Sequence, residues 1–320
     1  MPRVRLEDNA RGAKARRRTG LTEAQSVAAP LFACYNRSVI IDFHTHAFSP
    51  KIIANRDRYV AADPCFATLY NNPKAKLTTA DQLIAEMDRC GIDKSVVLNI
   101  GWSSHELCVE SNDYILASAT KYPERIIPFI AVQPVASQKA LNEIERCVQA
   151  GAKGVGEIRP DVQGLNLDDQ TIMSPMIESL VSNKLILLSH VDEPVGHHYP
   201  GKGKATPSSF YSFIQSYPDL KLVLAHWGGG LPFYSLMPEV RKAFYNVWFD
   251  SAASPFLYLP PVYKRVAELS GVDKILFGSD FPLLSPRRGL DELVSSGLAG
   301  TDMSKITGGN AASLLELGHD

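Results

Sequence analysis

Five short apolar runs each lead into a metal-type side chain, in the order His-x-His, Glu, His, His, Asp. They end at His44-Thr45-His46, Glu157, His190, His226 and Asp280. Residues so far apart meet only if the fold collects its strand ends in one place. A parallel barrel does this, because all its strands point the same way and their carboxyl ends share one face. Eight strand candidates follow in turn: Val39–Phe43, Lys94–Asn99, Ile126–Val132, Lys153–Ile158, Leu185–His190, Lys221–His226, Tyr245–Asp250 and Lys274–Ser279. Runs such as Ile186-Leu187-Leu188 and Leu222-Val223-Leu224 suit strands buried on both faces, as parallel strands are.

Helical segments separate the strands. Thr79 and Gln82 can form a capping box before Leu83, Ile84 and Met87, with Gly91 as the stop. Ser137 precedes Leu141, Ile144 and Val148 at helical spacing, and Gly151 stops that helix. Further helices are expected at 112–120, 174–182, 207–216, 232–243 and 261–269. A last one spans 301–317, with a break at Gly308-Gly309. Strand alternating with helix eight times is the pattern of an α/β fold, the (β/α)8 TIM barrel. The 320 residues fit one such domain over 39–320. Ligand spacing agrees: 113 residues from His44 to Glu157 cover three units, 33 and 36 cover one each, and the 54 from His226 to Asp280 cover two. Residues 47–78 read as a long loop inserted after strand 1, a lid or specificity loop at the catalytic face.

Residues 1–38 break the pattern. They carry eight Lys/Arg against three Asp/Glu, a net of +5, so the remainder of a chain with net charge −1 is near −6. They lack apolar periodicity and are expected to form a disordered leader, not a nucleic-acid arm. The near-neutral chain argues against a nucleic-acid partner, and no apolar run reaches the roughly 20 residues a membrane helix needs. Five scattered cysteines without C-x-x-C spacing read as reduced thiols of a cytoplasmic protein. The expected partner is a small-molecule substrate, with room for a homo-oligomer.

The chemistry follows from donor types. His44 and His46, two apart on an extended segment, point to one side and can grip one metal ion. His190 closes a strand and adds a third imidazole. A carboxylate at Asp280 can both ligate a metal and take a proton, so it is the expected general base. His226 precedes Gly228-Gly229-Gly230 and can bind a second ion, or polarise substrate and give a proton. Glu157, after Gly156, needs a cation once buried; it bridges two ions or pairs with Arg159. Arg159 near the rim can hold a substrate carboxylate in two hydrogen bonds, or brace a neighbouring acid.

Taken in order, the stretches at 41–46, 156–157, 189–190, 225–229, 278–282 and 309–311 resemble the amidohydrolase superfamily, and most its amidohydrolase-related branch of TIM-barrel metal-dependent hydrolases and decarboxylases. The resemblance covers about residues 39–317. It implies that His44, His46, His190 and Asp280 hold a divalent metal, most simply zinc, with His226 as second ligand or acid/base. Many binuclear members carry a carboxylated lysine after strand 4, where this chain has Glu157, so one or two ions remain open. The leading expectation is a hydrolase of a C–O or C–N bond, in which the metal acidifies water to near neutrality and Asp280 takes its proton. The alternative is a metal-dependent decarboxylase of an aromatic or unsaturated acid, with Arg159 on a carboxylate.

Overall fold

Nearly all strand residues of this chain are buried, so their backbone groups must be satisfied by neighbouring strands. In the computed structural model, which describes residues 39–318, they are. Eight parallel strands follow sequence order: β1 (Ile41–His46), β2 (Lys94–Leu98), β3 (Ile126–Ile130), β4 (Gly154–Ile158), β5 (Ile186–Ser189), β6 (Leu222–Leu224), β7 (Val247–Asp250) and β8 (Ile275–Leu276). Backbone bonds from Phe43 N to Phe277 O (2.8 Å), Asp280 N to His44 O (2.9 Å) and His46 N to Phe281 O (2.7 Å) bring the last strand back to the first. The barrel expected from the alternation is therefore present. The leader expected at residues 1–38 lies outside the described residues.

Two strands carry an extra residue. Between Asp42 and Thr45 β1 advances three positions while β2 advances two, and β4 does the same against β5 between Val155 and Ile158. Such bulges bend a strand and re-aim a side chain. They fall at the segments holding His44 and Glu157.

Most helices overlap the segments marked by apolar spacing, but the one expected over 232–243 divides into a 3-10 turn, Leu231–Tyr234, and a helix, Pro238–Ala243, and a helix over Pro286–Ser295 was not expected. α4 (Ala80–Cys90) has the Thr79–Gln82 capping box and ends at Gly91 in the left-handed conformation (φ 75°). α5 (His105–Lys121) is longer than expected because Ser104 caps it a full turn and more before Asn112. α6 (Gln138–Gln149), α7 (Gln170–Ser182) and α8 (Pro207–Ser216) pack Ile144, Met173, Ile177 and Phe213 against Val155, Leu187 and Leu222 of the barrel. The closing helix is interrupted at Lys305–Gly309, as its two glycines imply, and Gly308 lets the backbone of Val39 approach.

Residues 47–78 are not the irregular loop expected. They form three short helices, α1 (Pro50–Ala54), α2 (Arg56–Ala62) and α3 (Pro64–Tyr70), with Ser49 and Asp63 capping the first and third. Each is too short to show a 3.6-residue period. Their apolar side chains join Trp102 in one cluster, where Phe66 stacks on the indole at 5.4 Å. Most strands are shorter than their apolar runs, and β8 holds only Ile275–Leu276, whereas β1 begins at Ile41 and runs past its apolar run through His46. Among the described residues no helix is long and apolar enough to cross a membrane. Cys65, Cys90, Cys108 and Cys147 are free, buried thiols.

Candidate metal centre and substrate cavity

The six side chains singled out as metal-type donors converge. His44 Nε2 and His46 Nε2 lie 3.2 Å apart. Asp280 Oδ1 is 3.3 Å from the second and 3.8 Å from the first. Bonds of about 2.0–2.2 Å place neighbouring ligand atoms of a tetrahedron about 3.3–3.6 Å apart. The triplet therefore has the spacing of ligands around one divalent ion.

Across the mouth, Glu157 Oε1 is 2.9 Å from His190 Nδ1 and 3.3 Å from His226 Nε2, and Glu157 Oε2 is 3.9 Å from His46 Nε2. His190 Nδ1 and His226 Nε2 stand 3.1 Å apart. A second triplet of donors, His44, Glu157 and His226, shares His44 with the first. All six expected residues are thus brought together. Glu157 faces histidines, and among the described residues it makes no ion pair with Arg159.

Two acids that sequence reasoning assigned no role orient these rings. Asp250, at the end of β7, accepts from His44 Nδ1 at 2.8 Å, with both side chains fully buried. A carboxylate accepts, so Nδ1 carries a proton and Nε2, the nitrogen an ion would take, is turned into the site. The other Asp250 oxygen accepts from the backbone of His226 and of Ala252, each at 3.0 Å. Asp192 stands 3.2 Å from His190 Nε2 and also accepts from Gly203 N at 2.6 Å and Ala205 N at 3.2 Å. It joins His190 to the 193–204 loop. His226 Nδ1 donates to Ala252 O at 3.1 Å, which again leaves Nε2 facing the cavity.

The backbone after β6 is unusual. Residues 226–230 all have positive φ, including His226 (57°) and Trp227 (58°), and Asp280 does too (65°). Residues with a Cβ avoid this region, so these positions are strained. Two of the glycines are required by packing. A Cβ on Gly228 would press on Phe249, and one on Gly229 would strike the Asp192 carbonyl oxygen.

Charge in the cluster is strongly coupled. Burial works against an ionised His44, yet the Asp250 carboxylate lifts it to about 9. Burial likewise opposes charge on His226, and Glu157 lifts it to about 10. Burial pushes Asp280 up, but His46, His44 and His226 together hold it down to about 2. Glu157 lies well below the carboxylate range because His190, His226 and His44 outweigh its burial. Imidazole nitrogens alternating with carboxylate oxygens at this density suit a divalent cation.

The donors open into a cavity of about 480 Å³, walled by Leu69, Tyr70, Ile100, Phe256, Leu257 and Leu283. Helix α3 and the 193–204 loop both contribute to its wall. Arg159 also lines it and is 2 % exposed. Its guanidinium donates to Gly201 O, and its Nε has no partner. Burial opposes the charge, and Cys65, Glu157, Asp161 and Asp192 sustain it from further away. The alternative that Arg159 braces a neighbouring acid is not seen: among the described residues no carboxylate pairs with it.

Comparison with known proteins gives the family. The amidohydrolase family profile matches residues 41–317. The 2-amino-3-carboxymuconate-6-semialdehyde decarboxylase of Dictyostelium discoideum is 25 % identical, with 88 % of this chain and 92 % of the relative covered. The gamma-resorcylate decarboxylase of a Polaromonas species is 24 % identical, covering 75 % and 88 %. Among solved structures, 5-carboxyvanillate decarboxylase from Novosphingobium aromaticivorans, complexed with manganese and 4-hydroxy-3-methoxy-5-nitrobenzoic acid, superposes with a TM-score of 0.73 at 20 % identity, over 88 % of this chain and 96 % of that one. These findings correct the expectation of a hydrolase of C–O or C–N bonds. The similar proteins break a carbon–carbon bond and release a carboxyl group. Imidazoles and carboxylates around a divalent ion serve either reaction, so the motif pattern could not separate them.

Proposed function

The chain belongs to the amidohydrolase family, and on that premise we propose that it is a divalent-metal-dependent decarboxylase of an aromatic or unsaturated carboxylic acid. The observation that carries the reading is a cavity with metal donors at its floor, apolar walls, and one buried guanidinium without an ion pair. A flat apolar substrate with an acidic group fits such walls. The decarboxylase relatives support the same reaction class.

His44, His46 and Asp280 would hold the ion, with His190 and His226 beside it. When bound, a divalent ion supplies a Lewis acid that draws electron density from a substrate oxygen. Zinc meets the donor set, and manganese in a structural neighbour makes it an equal candidate. The second donor triplet around Glu157 offers a place for a further ion, so metal per chain is to be counted.

The chain's own groups would do the rest. His226 aims Nε2 into the cavity while Ala252 O holds Nδ1. A proton on that Nε2 would be delivered to the carbon that loses its carboxyl group. Asp280, which also lines the cavity, would accept a proton from a substrate hydroxyl. The apolar walls exclude water from the carbanion-like carbon. Arg159 would hold an anionic group of the substrate.

Metal-loaded protein should be offered hydroxybenzoic and unsaturated dicarboxylic acids beside esters, lactones and amides, with products identified. Decarboxylated acids are expected. Hydrolysed esters without carbon dioxide would contradict the proposal.

A further inference from the structure

Beside the catalytic cavity lies a second one of about 360 Å³. His197, Tyr199 and Leu257 line both, so the 193–204 loop takes part in both walls. Glu193, Gly229, Gly230, Phe233, Tyr234 and Tyr258 line the second and not the first. None of the six metal donors reaches it. Phe233 and Tyr234 are 40 % and 52 % exposed, so the cavity opens to solvent on their side. Exposed rings around a concavity are a mark of a ligand site.

The walls are aromatic, and their one acid is half satisfied. Tyr199 Oη donates to Glu193 Oε2 at 2.9 Å. Glu193 Oε1 is buried and has no partner among the described residues. A carboxylate oxygen out of water and without a donor is costly to keep. Rings gather near it. Phe233 and Tyr258 have centroids 6.1 Å apart, and a Cβ on Gly230 would lie 3.5 Å from both the Phe233 ring and Tyr258 Oη. Burial first, and then the Glu193 carboxylate, push the Tyr199 and Tyr258 phenols up, which puts both rings within the field of that acid.

An ammonium satisfies both features at once. Ring faces attract a cation, and the free carboxylate oxygen accepts its N–H. An anion would meet Glu193, and a neutral apolar molecule would leave Oε1 unpaired. The wall already holds one ammonium in this way. Lys202 Nζ lies 5.6 Å from the Tyr199 ring centroid and donates to Val195 O at 2.7 Å and His197 O at 3.2 Å. Its N–H groups are turned to these loop carbonyls, and among the described residues it forms no ion pair with Glu193. We propose that this cavity is a second ligand site, in which Glu193 Oε1 accepts from the protonated nitrogen of an organic amine whose apolar body packs on Phe233, Tyr234 and Tyr258.

Calorimetric titration of the metal-loaded protein at neutral pH and physiological salt tests this. The probes are phenethylammonium, its N-trimethyl analogue and phenethyl alcohol. The amine should bind about 10-fold tighter than the alcohol, which has the same body without the charge. It should also bind tighter than the trimethyl analogue, which has the charge without an N–H. In Glu193→Gln the advantage over the alcohol should be lost. Phe233→Ala should weaken amine and alcohol alike, and neither residue lines the catalytic cavity. Equal binding of amine and alcohol by the wild type overturns the proposal, whatever the variants do. So does a trimethyl analogue bound as tightly as the amine. An advantage that persists in a folded Glu193→Gln protein, or amine binding untouched by Phe233→Ala, would put the amine elsewhere and overturn it too. Because no turnover is read, the outcome is independent of the reaction assigned to the metal centre.

Discussion

Asp250→Asn changes one oxygen to an NH2 group and should weaken metal binding 10- to 100-fold. The side chain is fully buried, with one oxygen on His44 Nδ1 at 2.8 Å and the other on two backbone N–H groups at 3.0 Å. Asparagine has no good orientation there. If its carbonyl accepts from His44, its NH2 faces the N–H groups of His226 and Ala252, donor against donor. If it turns over, the NH2 donates to Nδ1 and drives the proton to Nε2, which removes the lone pair from the metal site. Losing an outer carboxylate of this kind costs roughly 10–100-fold in metal affinity, or about 1.4–2.7 kcal/mol. The assay is competition for manganese and zinc against a chromophoric chelator at neutral pH, with circular dichroism to verify the fold. A folded variant whose affinity lies within twofold of wild type would refute the orienting role of Asp250, and with it the view that His44 binds through Nε2.

Other consequences are as direct. His226→Asn should lower kcat by about 10²–10⁴ while the ion at His44, His46 and Asp280 stays bound, measured by turnover and metal content on one preparation. Chelation should lower the melting temperature by several degrees, and manganese or zinc should restore it, since a ligand of the native state alone stabilises it by about 2.7 kcal/mol at 100 times its Kd. Glu292 is buried with one oxygen unpartnered, and burial lifts its carboxyl to about 6 against the opposing effects of Ser254 and Arg288. The folded state therefore binds more protons than the unfolded state between pH 4.5 and 6, so stability from this group declines as pH rises through that window. Glu292→Gln should remove the decline and gain about 1 kcal/mol above pH 7 after allowance for solvent screening, read from denaturation at pH 4.5, 6 and 7.5. Phe66→Ala, which removes the ring stacked on Trp102, should cost about 3–5 kcal/mol and loosen the helices at the cavity mouth, visible as faster proteolysis between residues 47 and 78.

The barrel was legible because its strands are unbroken apolar runs separated by helices with clear stops, as at Gly91. The donors were legible for a related reason: each follows such a run, and only a parallel barrel brings those ends together. Asp250 was in plain view at the end of the seventh run. It was passed over because an outer carboxylate is recognised by its contact with His44 Nδ1, which spans 206 residues. Asp192 escaped in the same way. The helices of residues 50–70 were hidden by their brevity, since their order comes from packing on Trp102 more than from local pattern. The left-handed turn at 226–230 was signalled by its glycines, but their partners, Phe249 and Asp192, appear only in the fold. The reaction was the least legible part, because imidazoles and carboxylates around a divalent ion serve water attack and carbon–carbon cleavage alike.

The most direct test follows the fate of the carboxyl carbon. Metal-loaded protein is incubated in D2O with hydroxybenzoic and unsaturated carboxylic acids labelled with ¹³C at the carboxyl carbon, and NMR monitors both products. One equivalent of labelled CO2 should appear per turnover, with deuterium at the carbon it left. An active, metal-dependent preparation that returns every labelled carboxyl carbon in the acid while cleaving esters or amides would contradict the account.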